Sequence, residues 1–245
     1  MPTHHTPYDD YASYAESCPL ESFKSHPRYI HMLEHVDSGL GYKYFALLKS
    51  ECAMPNESIL EFCTMNDRIG NPTMQMIPEL STDIFISGTS LRYLYHGWLI
   101  LKHMTPNSSV VEVGCGYGGL CLAIDFLSKQ TQRPVRSYAC LDLDGPLTLQ
   151  RRYLANFELS FPVSFHSSST YGSSIEGDGH FLVSNYCFSE IDDVHQMRYI
   201  QTLFPKIAHG FLAWNRIPVY NFGKRILRTE PERPKTFRTN MFVFF

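Results

Sequence analysis

The chain has 245 residues, of which 44% are hydrophobic and 18% are charged, and its formal net charge is −3 at pH 7. This apolar content is enough for one hydrophobic core, or for one core with a sizeable extension. Because nucleic-acid-binding domains are usually basic, the slightly acidic balance argues against a nucleic-acid partner.

Cysteine usage and apolar run lengths indicate a cytoplasmic protein. The seven cysteines are an odd number, and no two are spaced as C-x-x-C, so we interpret them as reduced core thiols. The first ten residues are polar and lack the apolar segment of a secretion signal. No apolar run approaches the roughly 18 residues that a membrane span requires.

Residues 1–80 predict a helical N-terminal extension. Apolar residues recur near helical spacing over 29–50, where Gly39 and Gly41 interrupt the pattern, and a short helix is expected over 58–65. The segment 66–72 has the composition of a turn.

The second predicted domain covers 81–245 and opens with a long helix over 87–104. Ser87, Thr89 or Ser90 is expected to cap this helix. Strands and helices then alternate, which is typical of a parallel α/β sheet. The predicted strands are 109–113, 135–142, 161–166, 180–185 and 210–215, and the predicted helices are 118–130, 145–157 and 192–205. The strand-like segment 240–245 is expected to insert into the same sheet.

A glycine-rich turn joins the first of these strands to a helix. The acidic Glu112 lies near the end of the strand, and Gly114, Gly116, Gly118 and Gly119 follow. Glycine permits positive φ and leaves no Cβ between the backbone and a ligand, and the helix start offers unpaired N–H groups. The turn therefore predicts a binding site for a small molecule.

Two cofactors are compatible with this turn. The pattern G-x-G-x-x-G is the dinucleotide fingerprint and predicts NAD. The pattern E-x-G-x-G-x-G resembles motif I of class I S-adenosylmethionine (SAM) methyltransferases. We favour SAM because Glu112 precedes the first glycine, because the turn follows a long helical extension, and because the last segment has the character of an inserted strand.

The ends of the second and fourth strands carry further polar candidates. Asp142 ends the second strand, where a carboxylate can accept hydrogen bonds from both ribose hydroxyls of an adenosyl ligand. Asp144 is the better helix cap before Pro146, which leaves Asp142 for the ligand. After the fourth strand, Asn185, Tyr186, Ser189 and Glu190 are expected to face the methyl group and the acceptor. Tyr117, Tyr186 and Phe188 could lie near the sulfonium, and core packing is the alternative for each.

These segments together resemble the sugar O-methyltransferases. That family pairs a motif like E-I-G-x-G-Y-G-G with D-L-P-x after strand two and S-N-Y-x-F-S-E after strand four; the matching segments here are 112–119, 142–145 and 184–190. The second departs from the pattern at Asp144-Gly145. The segments 66–72 and 87–95 also look like the family, and the similarity covers roughly residues 60–215.

The resemblance implies a Rossmann-like class I methyltransferase fold: a mostly parallel seven-stranded sheet with helices on both faces. It implies transfer of a methyl group from SAM to a sugar hydroxyl in glycan synthesis, with a deoxyhexose such as rhamnose as one acceptor. Relatives occur as free enzymes and as domains beside glycosyltransferases, so this chain is a candidate for either arrangement.

Individual residues receive roles on this basis. Glu190 and His195 are the candidate general bases. The alternative for Glu190 is a supporting role behind the residues that touch the ligand, or a first-turn helix carboxylate favoured by the helix dipole. The alternative for His195 is a surface position on a helix. The predicted cofactor contacts are Arg92, Glu112, Gly114, Cys115, Gly116, Tyr117, Gly118, Asp142, Leu143, His166, Ser167 and Asn185. The predicted acceptor contacts are Asn66, Asp67, Tyr186, Ser189 and Asn215.

Three rival functions remain open at this stage, and no metal site is expected. The adjacent Asp192 and Asp193 would diverge on a helix, which favours a metal-independent reaction. The rivals are an NAD-dependent sugar-modifying enzyme, a methyltransferase acting on nucleic acid or protein, and a non-catalytic SAM-binding module. The basic segment 224–238, with six basic and two acidic residues, is either a solvated loop or a contact for an anionic partner.

Overall fold

The computed structural model describes residues 7–245 as alternating helices and strands that form two compact units. The helices are α1 (Pro7–Ser17), α2 (Pro27–Leu33), α3 (Ser38–Ser50), α4 (Asn56–Asp67), α5 (Gly88–His103), α6 (Gly119–Thr131), α7 (Asp144–Leu154), α8 (Cys187–Glu190) and α9 (Asp193–Thr202). The strands are β1 (Gln75–Met76), β2 (Phe85–Ile86), β3 (Ser109–Val113), β4 (Ser137–Asp142), β5 (Val163–Ser167), β6 (His180–Asn185), β7 (Ile207–Trp214), β8 (Arg228–Pro231) and β9 (Met241–Phe244).

The two units are built from interleaved segments of the chain. The first contains the described part of Met1–Trp98 together with Gly116–Phe126 and Asp144–Glu158. The second contains Leu99–Cys115, Leu127–Leu143 and Leu159–Phe245. The predicted domain boundary at residue 80 stays a prediction, and residues 1–6 of the predicted extension lie outside the described residues.

The second unit holds a seven-stranded, mostly parallel sheet with the order β5-β4-β3-β6-β7-β9-β8. Strand β3 pairs in parallel with β4 on one side, where Val110 lies opposite Tyr138, and with β6 on the other, where Val110 lies opposite Phe181. Strand β9 is antiparallel to both β7 and β8. The predicted α/β fold is confirmed, including the insertion of the last segment of the chain into the sheet.

The core of this unit forms where apolar strand residues meet α9 and the C-terminal segment. Trp214, Phe204, Phe222 and Phe245 pack together and are almost completely buried. Alternate residues of a strand point to opposite faces, yet β3 and β6 are apolar at consecutive positions, which is the pattern of strands buried on both sides.

Several predicted boundaries shift by a few residues for local reasons. Helix α7 ends at Leu154 instead of residue 157 because the Asn156 side chain donates to the carbonyl oxygens of Arg152 and Tyr153 at 2.8 and 3.1 Å. The single helix predicted over 192–205 is the helix α9, which Asp192 caps by accepting the backbone N–H of His195 at 2.9 Å and which follows the separate short helix α8.

In the first unit, the break in the predicted helix over 29–50 lies elsewhere than expected. The chain leaves the helix after Leu33, and Asp37 caps α3 by accepting the backbone N–H of Leu40 at 2.8 Å. Gly39 and Gly41 are therefore inside α3. A Cβ on Gly41 would lie 2.2 Å from Gln75 Nε2, so the glycine permits close approach of another segment instead of ending the helix.

The turn predicted over 66–72 begins later than the sequence indicates. Asn66 and Asp67 belong to the last turn of α4, where both are buried. The Asp67 carboxylate accepts the Ser87 backbone N–H at 2.7 Å and the Ser90 hydroxyl at 2.6 Å. These bonds tie the end of α4 to the start of α5, where Ser87, one of the predicted caps, accepts the backbone N–H of Thr89 at 3.2 Å.

No helix within residues 7–245 has both the length and the apolar character needed to cross a bilayer. All seven cysteines lie in this range; none of them forms a disulfide, and five are buried.

Candidate cofactor and acceptor site

The glycine turn starts with a close approach between two chain segments of the second unit. Gly114 has φ +76°, and a Cβ at this position would lie 2.3 Å from the Cβ of Cys187. A side chain here would therefore meet both a strained backbone and a collision. This explains why glycine occupies the position directly after β3.

Asp142 is the polar group that lies against this turn. It ends β4, the strand adjacent to β3, and its Oδ2 accepts the backbone N–H of Cys115 at 2.8 Å. Its Oδ1 accepts the backbone N–H of Leu143 at 2.8 Å. The carboxylate was expected to be left for a ligand, whereas each oxygen already holds one backbone bond. A carboxylate oxygen has two lone-pair directions, and acceptance of a ribose hydroxyl by Asp142 stays a prediction.

Glu112, predicted as a cofactor contact, lies inside the sheet. It is 2% exposed, and its Oε2 accepts the hydroxyl of Tyr138 at 2.8 Å. Burial raises the pKa of Glu112 well above its usual range, and nearby Cys140 and Asp142 add to this effect. The observed bond is one that holds β3 to β4, and direct contact of Glu112 with a cofactor stays a prediction.

The end of β5 brings His166 and Ser167 next to β4. Ser167 lies opposite Asp142 in the strand register, and its hydroxyl accepts the backbone N–H of Ser169 at 3.4 Å. The two ring nitrogens of His166 lie 2.9 Å from the hydroxyls of Ser174 and Ser164, and desolvation lowers the pKa of this imidazole. Both residues lie at the carboxyl end of β5, and their contact with a cofactor stays a prediction.

Three of the predicted acceptor-side residues are joined at the carboxyl ends of β6 and β7. The amide Nδ2 of Asn215 donates to Glu190 Oε1 at 2.5 Å, and Asn215 Oδ1 lies 2.6 Å from the Ser189 hydroxyl. The backbone N–H of Asn215 also donates to Ser189 at 3.0 Å. Because β6 and β7 are parallel neighbours, residues far apart in sequence meet at this edge of the sheet.

Asn185 and Tyr186, which directly precede α8, are also polar. Tyr186 has φ +67° and donates its hydroxyl to Glu232 Oε1 at 2.5 Å. The side-chain oxygen of Asn185 is buried, and within the described residues it has no hydrogen-bond partner. Phe188, expected near a sulfonium, lies in the hydrophobic core, as its alternative interpretation had it.

The two candidate bases differ in their surroundings. The side chain of Glu190 is 17% exposed and is positioned by Asn215, with Arg216 Nε at 3.7 Å. The side chain of His195 is 52% exposed and pairs with Asp192, Nδ1 to Oδ1 at 2.7 Å, in the first turn of α9. Glu190 therefore belongs to the polar group at the sheet edge, and the observed bonds of His195 are those of a helix N-terminus.

In the first unit, Tyr117 and Asn66 form a buried polar cluster. The Asn66 Oδ1 accepts the hydroxyls of Tyr117 at 3.1 Å and Tyr153 at 2.5 Å, and its carbonyl oxygen accepts Lys24 Nζ at 2.7 Å. Lys24 is 1% exposed and lies 4.4 Å from the centre of the Tyr117 ring, a cation–π contact. Desolvation lowers the pKa of Lys24 to about 7. Contact of Asn66, Asp67 or Tyr117 with a ligand stays a prediction.

The remaining predicted cofactor contacts of this unit are Arg92, Gly116 and Gly118. Arg92 is buried and donates from Nη2 to the carbonyl oxygen of Leu33 at 3.1 Å. A Cβ on Gly116 would meet Leu33 at 3.5 Å and the Tyr93 hydroxyl at 3.8 Å. Arg92 is thus positioned beside the segment that faces Gly116.

Sequence reasoning missed several residues that hold these groups in place. Lys24, Glu34 and Tyr153 lie in the first unit, and Tyr138 and Glu232 in the second. Tyr138 carried a signal, since it lies within a predicted buried strand, which pairs with the strand of Glu112. The other four lie in segments whose local pattern gives no indication of a polar interior.

Within residues 7–245, no three or more His, Cys, Asp or Glu residues are arranged to hold a metal ion. Metal independence of the reaction stays a prediction.

No protein-family model matches the chain. A search of curated proteins also gives no match.

Similar solved structures include methyltransferases of several kinds. A SAM-dependent methyltransferase from Aquifex aeolicus is 15% identical and gives a TM-score of 0.46. The match covers 62% of this chain and 89% of that protein. A SAM-bound amino pentose methyltransferase from Micromonospora echinaspora is 14% identical and covers 52% of this chain and 51% of its own, with a TM-score of 0.40. TrmK from M. capricolum, solved with S-adenosyl-homocysteine, is 10% identical and gives a TM-score of 0.43. The match covers 61% of this chain and 65% of TrmK.

Proposed function

We propose that this chain is a SAM-dependent methyltransferase that methylates a sugar hydroxyl. The observation that carries the proposal is the Asp142 carboxylate, held by the Cys115 backbone N–H at the start of the glycine turn, at the carboxyl ends of adjacent parallel strands. Ligands of open α/β sheets bind at this edge, and a carboxylate there suits the two hydroxyls of a ribose.

SAM is preferred over NAD because of the sheet topology. The six-stranded dinucleotide-binding fold has the order 3-2-1-4-5-6 with all strands parallel. Here an antiparallel strand, β9, is inserted between β7 and β8. An inserted terminal strand was one of the three features that favoured SAM in the sequence.

The residues proposed to bind SAM are those that the sequence indicates: Arg92, Glu112, Gly114, Cys115, Gly116, Tyr117, Gly118, Asp142, Leu143, His166, Ser167 and Asn185. Asp142 would accept from the ribose hydroxyls. Asn185, whose buried side-chain oxygen has no partner within the described residues, would accept from a donor of the bound ligand.

Glu190 is the proposed general base. When bound, SAM supplies a methyl group that bonds to the attacking sugar oxygen as the bond from that methyl to sulfur breaks and its electron pair stays on sulfur. The Glu190 carboxylate would take the hydroxyl proton, and the Asn215 amide holds that carboxylate in place. Proton transfer of this kind contributes about 10²–10⁴-fold to a rate.

A sugar acceptor fits the chemistry of the acceptor-side residues. Asn215, Ser189 and Glu190 present amide, hydroxyl and carboxylate groups within one hydrogen-bonded network. Such groups match the hydroxyls of a sugar, and the S-N-Y-x-F-S-E resemblance points to the same substrate class. A deoxyhexose such as rhamnose, glycan synthesis in the cytoplasm and a neighbouring glycosyltransferase domain belong to the same proposal.

Ligand-dependent thermal unfolding tests the cofactor. A ligand at 100 times its Kd stabilises the folded state by about 2.7 kcal/mol. S-adenosylhomocysteine (SAH) should therefore raise the Tm, and NAD should leave it unchanged. A Tm raised by NAD alone would contradict the proposal.

Transfer of a labelled methyl group from SAM to a panel of sugars and oligosaccharides tests the reaction. Label in a methyl ether of a sugar is the expected result. Binding of SAH without transfer to any sugar would instead favour the non-catalytic module, and label in RNA or protein would favour the corresponding macromolecular substrate.

A further inference from the structure

The C-terminal end of α2 lies directly against the glycine turn within the first unit. A Cβ on Gly116 would lie 3.5 Å from Leu33 Cδ1, and the Leu33 carbonyl oxygen accepts Arg92 Nη2 at 3.1 Å. The residue after Leu33 is Glu34, which caps α2 by donating its backbone N–H to the Ile30 carbonyl oxygen at 3.2 Å. The backbone therefore fixes Glu34 one residue from the contact with Gly116.

The carboxylate of Glu34 is oriented but only half satisfied. Its Oε1 accepts the hydroxyl of Thr89, at the start of α5. Its Oε2 is buried, and the described part of the chain offers it no hydrogen-bond partner. Desolvation raises the pKa of Glu34, because a buried carboxylate without a full set of donors is disfavoured in its charged form.

A second buried atom nearby has the same property. The hydroxyl of Tyr29, one turn earlier in α2, has no partner within residues 7–245, and Glu34 and Arg92 both influence its pKa electrostatically. Buried polar atoms are nearly always hydrogen-bonded. Two unpartnered atoms beside one turn therefore indicate that a polar ligand completes this region.

The charges around Glu34 define which ligand group fits. Lys24 and Arg92 act on Glu34 electrostatically, but neither is a hydrogen-bond partner of Oε2, which has no partner among residues 7–245. A cationic N–H donor satisfies a carboxylate oxygen with the strongest type of hydrogen bond available.

We propose that Glu34 binds the α-ammonium group of the amino-acid portion of SAM, and this rests on the proposed function. SAM and SAH carry one ammonium and one carboxylate on the same carbon. Glu34 would accept from the ammonium, while Arg92 and the Tyr29 hydroxyl supply donors suited to the carboxylate. Glu34 is thereby a recognition residue for the amino-acid end of the cofactor, supplied by the N-terminal helices.

Calorimetric titration with two ligands tests this inference without any turnover. The probes are SAH and the SAH analogue in which hydrogen replaces the α-amino group. The wild-type chain should bind SAH about 10- to 100-fold more tightly than the analogue, as expected for one buried charge-assisted hydrogen bond. Glu34→Gln should weaken SAH by a similar factor and leave the analogue unchanged. Glu61→Gln, an exposed carboxylate on α4, is the matched control.

The possible outcomes distinguish a failure of the proposed function from a failure of the role proposed for Glu34. Failure of the wild-type chain to bind SAH would contradict the proposed function itself. Wild-type binding of SAH and the analogue with equal affinity would overturn the role of Glu34 alone, and this measurement needs no variant to fold. Equal weakening of both ligands by Glu34→Gln would also overturn it, because a purely structural residue behaves in that way.

Discussion

Asp142 combines a structural bond with a predicted ligand bond. Its two oxygens hold the backbone N–H groups of Cys115 and Leu143, so the carboxylate is fixed before any ligand arrives. Fixed groups lose less conformational entropy on binding than mobile ones. The residue can therefore position the glycine turn and a ribose at the same time.

Asp142→Asn should weaken SAH binding by about 10- to 100-fold, because hydrogen bonds to a charged acceptor contribute roughly 1.5–3 kcal/mol. Isothermal titration measures the affinity. Asp144→Asn, an exposed carboxylate two residues later, is the control and should bind SAH as the wild type does. Equal affinity of Asp142→Asn and wild type would remove Asp142 from the site.

Glu190→Gln should lower kcat by about 10²–10⁴-fold while the Kd for SAH stays within a few-fold of wild type. The amide cannot take a proton, yet it keeps the size of the side chain. His195→Ala should retain most of the activity, because that imidazole is half exposed and bonded to Asp192. The measurement uses the sugar acceptor identified by labelled methyl transfer, and full activity of Glu190→Gln would exclude it as the base.

At the scale of elements, the turn after β3 depends on how closely α8 approaches it. Gly114 and Gly179 have nearly the same φ, +76° and +78°, but a Cβ on Gly179 would meet no atom of the described residues within 4 Å. A Cβ on Gly114 would lie 2.3 Å from the Cβ of Cys187. Comparing substitutions at these two glycines therefore separates the cost of backbone strain from the cost of a steric collision.

Gly179→Ala should reduce the free energy of unfolding by about 1–2 kcal/mol, the cost of a left-handed conformation for a residue with a side chain. Gly114→Ala should cost about 1–3 kcal/mol more, because the collision requires α8 or the turn to shift. Urea denaturation of both variants measures the two values. Equal destabilisation would show that the contact with Cys187 has no energetic weight.

Strand and helix positions after residue 87 were predictable because their signals are local. The apolar runs of β3 and β6 and the helical spacing of α6 follow from burial alone. The first unit was harder to predict. Gly39 and Gly41 predict a break in a helix, but Gly41 instead makes room for the side chain of Gln75. That residue lies more than 30 positions away in the sequence.

At the scale of the whole molecule, the buried Lys24 makes stability depend on pH. Its pKa is about 7 in the folded chain and near 10.5 when exposed, so between these values the unfolded state holds a proton that the folded state lacks. Stability therefore rises with pH across this range. Below pH 7 both states are protonated and the cost of burying the charge is fully present.

The free energy of unfolding should rise between pH 7 and 10 with a slope of up to about 1.4 kcal/mol per pH unit from this one group. Lys24→Met should remove that rise, because no titrating group remains at the position. Chemical denaturation at several pH values measures the slope. Lys43→Met, at an exposed position on α3, should keep the wild-type slope, and an unchanged slope in Lys24→Met would contradict the assignment.

Local sequence patterns were enough to predict the α/β class, the glycine turn after β3, Asp142 at the end of β4 and the polar group that follows β6. Each is encoded in a few consecutive residues, because strand burial, glycine conformations and turn chemistry are local properties.

The contacts between side chains of distant segments were visible only in the folded chain. Folding joined Asn215 to Glu190, placed the Tyr138 hydroxyl on Glu112, and buried Lys24 beside Tyr117 and Asn66. It also left one oxygen of Glu34, next to the segment that contacts Gly116, without a donor from the described part of the chain. These relations join residues about 25 to 90 positions apart, and the packing of whole elements, which no short pattern records, brings them together.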